Sequence, residues 1–379
     1  MNPLPPLPPG DPVPLAQALI RCASVTPADA GAQELLAAVL ERLGFSVTRL
    51  RFGDIANLFA RIGTDGPHFC FAGHTDVVPA GASWSADPFA GEVRDGMLYG
   101  RGACDMKGAL AAFVSACAGH VASGLARGSI SLLITGDEEG AAVNGTVRVL
   151  DWMAANGQVP DFCLVGEPTN AARLGEAVKI GRRGSLNARL AVHGVQGHAA
   201  YPQRSDNPVH RLARLVAALI AAPLDAGDEW FEPSTLQVTS IDVGNSITNV
   251  IPASAQAMLN IRFNDRHTHE SLTAWLRATL ARYAERFDLD ITGWCDSFIT
   301  RPGPAVELVR RAVAEVTGLE PRLDTGGGTS DARFIARHCP VAEFGLVNAT
   351  MHQVDERVPL TELRDLGRVY AAVLRAFLA

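Results

Sequence analysis

Gly100-Arg101-Gly102-Ala103-Cys104-Asp105-Met106-Lys107-Gly108 runs directly into the apolar stretch Ala109-Leu110-Ala111-Ala112-Phe113-Val114. One carboxylate, Asp105, therefore sits between glycine-flanked turns, at the start of what reads as a buried helix reaching to about residue 123. Working outward, three short apolar runs each end in groups that bind cations. Residues 68–72 lead to Gly73-His74-Thr75-Asp76, 129–135 to Gly136-Asp137-Glu138-Glu139-Gly140, and 161–165 to Gly166-Glu167-Pro168-Thr169. Runs of this kind read as buried parallel strands, and sites in open α/β sheets gather at strand carboxyl ends. Taken singly, a His-x-Asp is mostly a polar loop, an Asp-Glu-Glu-Gly run a solvated turn, a Gly-Glu-Pro a turn and a lone histidine such as His352 a surface group. Three such endings in order carry the signal.

The remaining chain fits an α/β fold in two domains, the usual outcome for 379 residues. Helices are expected over 15–23 and 33–43, the second stopping at Gly44, with strands over 46–50 and 57–62 and a loop over 77–89. From residue 185 the pattern changes to strand 185–193, helix 207–221, strands 234–243 and 255–263, helix 270–287 and a short strand near Asp290. That βαββαβ order is ferredoxin-like. After it come helix 305–317, loop 324–329, helix 330–337, strand 341–347, a loop with His352 and a helix from Leu360. The domains expected are a proline-rich tail (1–14), a mixed-sheet catalytic domain in two parts (15–183 and 297–379) and an inserted α+β domain (184–296).

Composition narrows the function. A formal net charge of -7 gives no support to a nucleic-acid partner. Seven cysteines without a C-x-x-C pair argue against a disulfide framework or a thiolate zinc site and suit reduced thiols in a cytoplasm. Residues 1–10 lack the basic and apolar parts of a secretory leader, and no apolar run approaches the ~20 residues of a membrane span. No Gly-Lys pair supports a P-loop, Gly100-x-Gly102 lacks the third glycine of a dinucleotide fingerprint, and no G-x-S-x-G elbow occurs.

Histidine and carboxylate without thiolate are ligands for zinc, cobalt or manganese. Two zinc ions carry four positive charges; Asp105, Glu139 and Glu167 carry three negative ones, and a bridging hydroxide supplies the fourth. Neutral His74 and His352 complete the set, with Asp105 as the bridge. Glu138, beside Glu139 and not needed for coordination, is placed as general base. Asp76, two residues from His74, is expected to accept that ring's second N–H.

These motifs, with His74-Thr75-Asp76-Val77-Val78-Pro79, Trp84 and Pro88-Phe89, resemble the co-catalytic zinc aminoacylase and carboxypeptidase family, in the family order and from about Leu15 to the C-terminus. Narrower signs are Lys179 to Ser185, His193 to Pro202, Thr248 to Pro252, Asn260 to Phe263, Gly326 to Asp331 and Met351-His352-Gln353. The resemblance implies a zinc-peptidase-like catalytic domain holding two Zn2+, with Co2+ able to substitute at one site. It puts His74 and Glu167 on one ion, Glu139 and His352 on the other, Asp105 on both, and Glu138 as acid/base. It further implies a homodimer through the inserted domain, with His198 reaching the partner's active site to hold the oxyanion. Arg182, Ser185, Asn249, Arg262 and Thr329 fall where the family contacts substrate, here a small succinylated amino acid; paired arginines suit its carboxylates. Acetyl-amino-acid deacylases and dipeptidases share the same metal motifs, and a binding protein with a dead site is the rival outside the enzyme class. Cys104, at a position expected to be small, and the proline-rich start are departures that remove no catalytic group.

Overall fold

A computed structural model describes residues 4–124 and 127–379. In chain order the larger strands are β1 (Ser46–Phe52), β2 (Ile55–Ile62), β3 (His68–His74), β4 (Ser129–Thr135), β5 (Phe162–Val165) and β6 (Ala177–Lys179). β7 (Gly184–His193), β8 (Thr235–Asp242), β9 (Ser254–Phe263) and β10 (Phe287–Cys295) follow, then β11 (Arg322–Asp324) and β12 (Val341–Glu343). The longer helices are α1 (Val13–Arg21), α2 (Ala32–Arg42), α3 (Lys107–Ala122), α4 (Thr146–Ala155), α5 (Pro208–Ile220), α6 (His269–Tyr283), α7 (Pro304–Thr317) and α8 (Leu360–Phe377).

The chain divides into two compact units, residues 1–180 with 300–324 and 330–379, and residues 181–299 with 325–329. The first is built on an eight-stranded mixed sheet in the order β1-β2-β4-β3-β5-β12-β6-β11. Its centre is parallel: β3 pairs with β4 on one side and β5 on the other, and β5 with β12. β3, β4 and β5 are buried along their whole length, which is why they read as unbroken apolar runs rather than alternating ones. α3 lies against α1 and α8 and buries most of its residues all round, as an evenly apolar helix must. Phe113 on α3 stacks on Phe71 of β3 at 4.2 Å between centroids, and Tyr370 of α8 meets both rings edge-on. That aromatic packing fixes α3, and with it the turn carrying Asp105, over the carboxyl ends of β3 and β5.

The second unit has an antiparallel four-stranded sheet, β8-β9-β7-β10, with α5 and α6 packed through Leu215 and Leu276 onto Leu186, Leu190, Leu259 and Ile261. Strand order and helix placement are ferredoxin-like, as the order of elements predicts. The segment 325–329, expected to stay with the catalytic part, clusters with this unit.

Several boundaries differ from the pattern reading. The helix expected over 270–287 ends at Tyr283, where Ala284 turns extended (φ -145°, ψ 132°). The short strand expected near Asp290 is the nine-residue β10, half-buried with an alternating face. No glycine or proline marks that helix end, so composition alone carries it too far. The helix expected over 330–337 is one turn, Ala332–Ile335, and the strand over 341–347 stops at Glu343. Val13 and Pro14, assigned to the tail, already lie in α1. A small sheet of Val93–Arg94, Met97–Tyr99 and Arg357–Pro359 has strands too short to show any periodicity. No helix among the described residues is long and apolar enough to cross a membrane.

Candidate metal centre

The strand ends and the turn before α3 bring five predicted ligands together. His74 closes β3, Glu139 follows β4, Glu167 follows β5, Asp105 precedes α3, and His352 sits in the loop leading to Arg357–Pro359. His74 Nε2 lies 3.2 Å from Asp105 Oδ1 and 3.7 Å from Glu167 Oε1. His352 Nε2 lies 3.2 Å from Asp105 Oδ2 and 2.9 Å from Glu139 Oε1. The two oxygens of Asp105 thus face two different histidines, each with its own second carboxylate. The donors fit a pair of cations: two imidazoles and three carboxylates in the ligand classes of zinc, with one carboxylate shared.

Gly102 shapes the turn that presents Asp105. Its φ is +87°, and a Cβ there would meet Val77 Cγ1 at 2.9 Å and Lys107 Cδ at 3.0 Å. A glycine is required on both counts.

Electrostatics follow from crowding acids with histidines. Burial opposes charge on His74, but its hydrogen bond to Asp105 and the nearby carboxylates of Glu138, Asp105 and Asp76 outweigh burial and raise its pKa well above the usual imidazole value. His352 is raised to about 10 by its hydrogen bonds to Asp105 and Glu139. Burial acts to raise Asp105, and the two histidines overcome it and hold its pKa below the usual carboxylate range. Glu138 is pushed well up, first by burial and then by the charge of Glu167. A raised carboxyl pKa means a more basic carboxylate, the property a proton acceptor needs.

Asp76 corrects the sequence reading. His74 Nδ1 donates to the Asp76 main-chain carbonyl at 2.9 Å, and the Asp76 carboxylate stands 3.7 Å away. A carbonyl only accepts, so Nδ1 carries the proton and Nε2 is left to ligate. The carboxylate accepts instead the main-chain N–H groups of Glu138 (3.3 Å) and Glu139 (3.0 Å) and the Thr26 hydroxyl (2.7 Å). Asp76 therefore holds the backbone of the Glu138-Glu139 pair. Spacing two residues along a strand suggested the carboxylate; the chain bends after β3 and presents its carbonyl.

Other groups took on no role in the sequence reading. Asp137 accepts three main-chain N–H groups, from Ala141, Val143 and Asn144, and so shapes the loop after β4. Asp331 is buried, and burial raises its pKa to about 6. Arg101 and Glu356 form a buried pair, Nη1 to Oε2 at 2.6 Å. Arg101 lies inside the opening motif, while Glu356 stands in Val354-Asp355-Glu356-Arg357, which reads as solvated loop.

The remaining predicted residues lie in the second unit. Arg182, buried, donates from Nη1 to the Gly328 carbonyl at 2.9 Å, which brings it to the segment carrying Thr329. Ser185 and Arg262 are direct cross-strand partners on β7 and β9. His198 pairs with Val250 in a two-stranded ribbon, and the Asn249 carbonyl accepts the Ala199 N–H at 2.9 Å. The Ala200 N–H donates to His198 Nδ1 at 3.0 Å, so in the neutral ring Nε2 carries the proton and can donate.

The model of peptidase family M20/M25/M40 matches residues 70–376. The succinyl-diaminopimelate desuccinylase of Acidiphilium cryptum (strain JF-5) is 61% identical over 364 residues, covering 96% of this chain and 98% of that protein. The fold matches aminopeptidase PepT from Bacillus cereus with a TM-score of 0.79 at 20% identity, over 98% of this chain and 99% of that one. It also matches the YXEP protein of Bacillus subtilis, described as a dinuclear metal binding peptidase, with a TM-score of 0.69 at 14% identity, over 97% of this chain and 98% of that one.

Proposed function

The chain belongs to peptidase family M20/M25/M40, and from that premise we propose that it hydrolyses N-succinyl-LL-2,6-diaminopimelate to succinate and LL-2,6-diaminopimelate, a step of diaminopimelate and lysine biosynthesis. The observation that carries the chemistry is Asp105 turned to His74 with one oxygen and to His352 with the other, with Glu138 beside them. The substrate assignment is supported by the identity to the Acidiphilium cryptum protein over nearly the full length of both chains.

His74, Glu167 and Asp105 would hold one divalent ion, and Asp105, Glu139 and His352 the other; the donors suit zinc, with cobalt able to stand in at one. The bound ions supply Lewis acidity that makes water a nucleophile near neutral pH. Glu138 takes a proton from the attacking water as the new C–O bond forms at the succinyl carbonyl. It then delivers that proton to the amine nitrogen as the C–N bond breaks. Asp76 keeps Glu138 and Glu139 in place through their main-chain N–H groups. In a homodimer, His198 of one chain donates from Nε2 to the oxyanion formed in the other, a contact type worth about 3 kcal/mol when removed. Arg182 and Arg262 hold substrate carboxylates, and Ser185, Asn249 and Thr329 supply neutral hydrogen bonds. The enzyme acts in the cytoplasm.

The test is a substrate panel with metal analysis. Purified protein should hydrolyse the succinylated diamino acid faster than N-acetylornithine or dipeptides, and a chelator should abolish this. Glu138→Gln should keep two ions and lose at least about 100-fold in kcat. Preference for acetylated substrates moves the assignment to a related deacylase. Near-normal kcat in Glu138→Gln removes the acid/base role.

A further inference from the structure

Beneath the ligands lies a buried ion pair that the reaction itself does not use. Glu356 is 0% exposed and Arg101 2% exposed. Each has a second set of bonds. Glu356 Oε1 accepts the main-chain N–H of Cys104 at 2.9 Å and of Asp105 at 3.3 Å, and the Cys104 thiol donates to it at 3.3 Å. Arg101 Nη2 donates to the main-chain carbonyl of His352 at 3.3 Å, and toward those of Ala80 at 3.3 Å and Pro79 at 3.4 Å. The guanidinium lies 5.3 Å from the centre of the Trp84 ring.

The pair therefore ties the backbone of the shared ligand, Asp105, to the backbone of His352. His352 has φ +61°. A non-glycine residue holds that left-handed conformation where its surroundings fix it, and the Arg101 bond to its carbonyl is one such fixture. For stability alone a buried ion pair is a poor device, because desolvation commonly offsets the attraction. Its geometric effect here is concentrated on two of the three ligands of one ion.

We propose that Glu356 and Arg101 are positioning residues that set Asp105 against His352, and so secure the ion held by Asp105, Glu139 and His352 more than the ion held by His74 and Glu167. The inference rests on the two-ion reading of the centre.

Titration of metal-free protein with Co2+, followed by visible absorption, together with zinc content after dialysis, counts the ions and ranks their affinities. Arg101→Lys keeps the buried charge but lacks the fork needed to reach Glu356 and the His352 carbonyl together. It should bind one ion as the wild type does and the other about 10–100-fold more weakly. Activity at limiting metal should fall through kcat with KM unchanged. The double variant Arg101→Met with Glu356→Gln removes both charges at once and avoids a lone buried charge. Its metal-free melting should stay near wild type while the second ion remains weak. Two ions at unchanged affinity in Arg101→Lys, or in a normally melting double variant, would overturn the proposal. Equal weakening of both ions also overturns it, since that reports a loosened fold. Wild-type protein that takes up fewer than two ions instead sinks the two-ion reading beneath.

Discussion

Replacing Gly166 with alanine tests how the ligands are set. Gly166 precedes Glu167, and its main-chain N–H donates to the Ala72 carbonyl of β3 at 3.1 Å. A Cβ built there meets Phe71 Cζ at 2.5 Å, Met106 Cε at 2.7 Å and Ala109 Cβ at 3.0 Å. Ordinary contact begins near 3.4 Å, so Phe71 or the backbone must give by about 0.9 Å. Phe71 has nowhere to go, being stacked on Phe113 at 4.2 Å and abutted by Tyr370 at 5.3 Å. Overpacking of this kind costs about 1–3 kcal/mol. A rigid ring, a helix Cβ and a buried thioether on three sides place Gly166→Ala at about 2–3 kcal/mol. At about 2 °C per kcal/mol for a unit of this size, melting of the metal-free protein should fall by roughly 4–6 °C.

Gly73 is the internal control. It precedes His74, and its added Cβ would meet Met106 Cε at 2.4 Å and Leu110 Cδ2 at 3.2 Å. The closest atom there is the end of a flexible thioether that swings aside more readily than a stacked ring. Gly73→Ala should cost about 1–2 kcal/mol, less than Gly166→Ala. Because Glu167 follows directly, Gly166→Ala should also weaken the ion shared by His74 and Glu167, the opposite choice from the Arg101 variants. Calorimetric melting of metal-free and loaded protein, with ion counts after dialysis, reads both effects. Gly166→Ala melting with the wild type, or Gly73→Ala proving the more damaging, would refute the packing argument.

Two further outcomes follow from single residues. His68, at the start of β3, bonds Ser131 Oγ through Nε2 at 2.7 Å, and burial, with Arg61 nearby, lowers its pKa to about 4. The unfolded chain takes up a proton near pH 6.5 that the folded one refuses, so this contribution is complete above pH 6.5 and is lost as pH falls toward 4. Urea unfolding of metal-free protein should show His68→Gln less acid-sensitive than wild type by on the order of 2 kcal/mol after allowance for solvent screening; parallel pH curves count against it. Asp76→Asn should lower kcat at least about tenfold, because an amide nitrogen cannot accept the Glu138 or Glu139 N–H, yet keep the ion on His74, whose ring bonds the unchanged main-chain carbonyl. Loss of that ion on dialysis would restore the carboxylate as the support of His74.

How much of this was legible in the sequence depends on how far apart the interacting residues lie. His74, Glu139 and Glu167 announce themselves because each stands at or just beyond the end of a strand buried along its length, and such strands are short, apolar and abrupt. α3 is equally plain, since a helix surrounded by protein must be apolar all round. The ferredoxin-like unit is readable from element order, because its antiparallel sheet alternates buried and exposed residues. What stayed hidden are bonds between segments with no local pattern to share. Glu356 looks like a solvated acid, yet its carboxylate meets the main chain of Cys104 and Asp105 some 250 residues earlier. Asp76 and Thr26 meet across 50 residues with nothing in either stretch to predict it. Periodicity reports which face of an element is buried; it says nothing of what a buried polar group finds there. A buried carboxylate must find donors or shed its charge, so once the fold places Glu356 and Asp76 inside, their partners are close to forced. Three of the candidate ligands could therefore be read from strand ends, while the residues that support them required the fold.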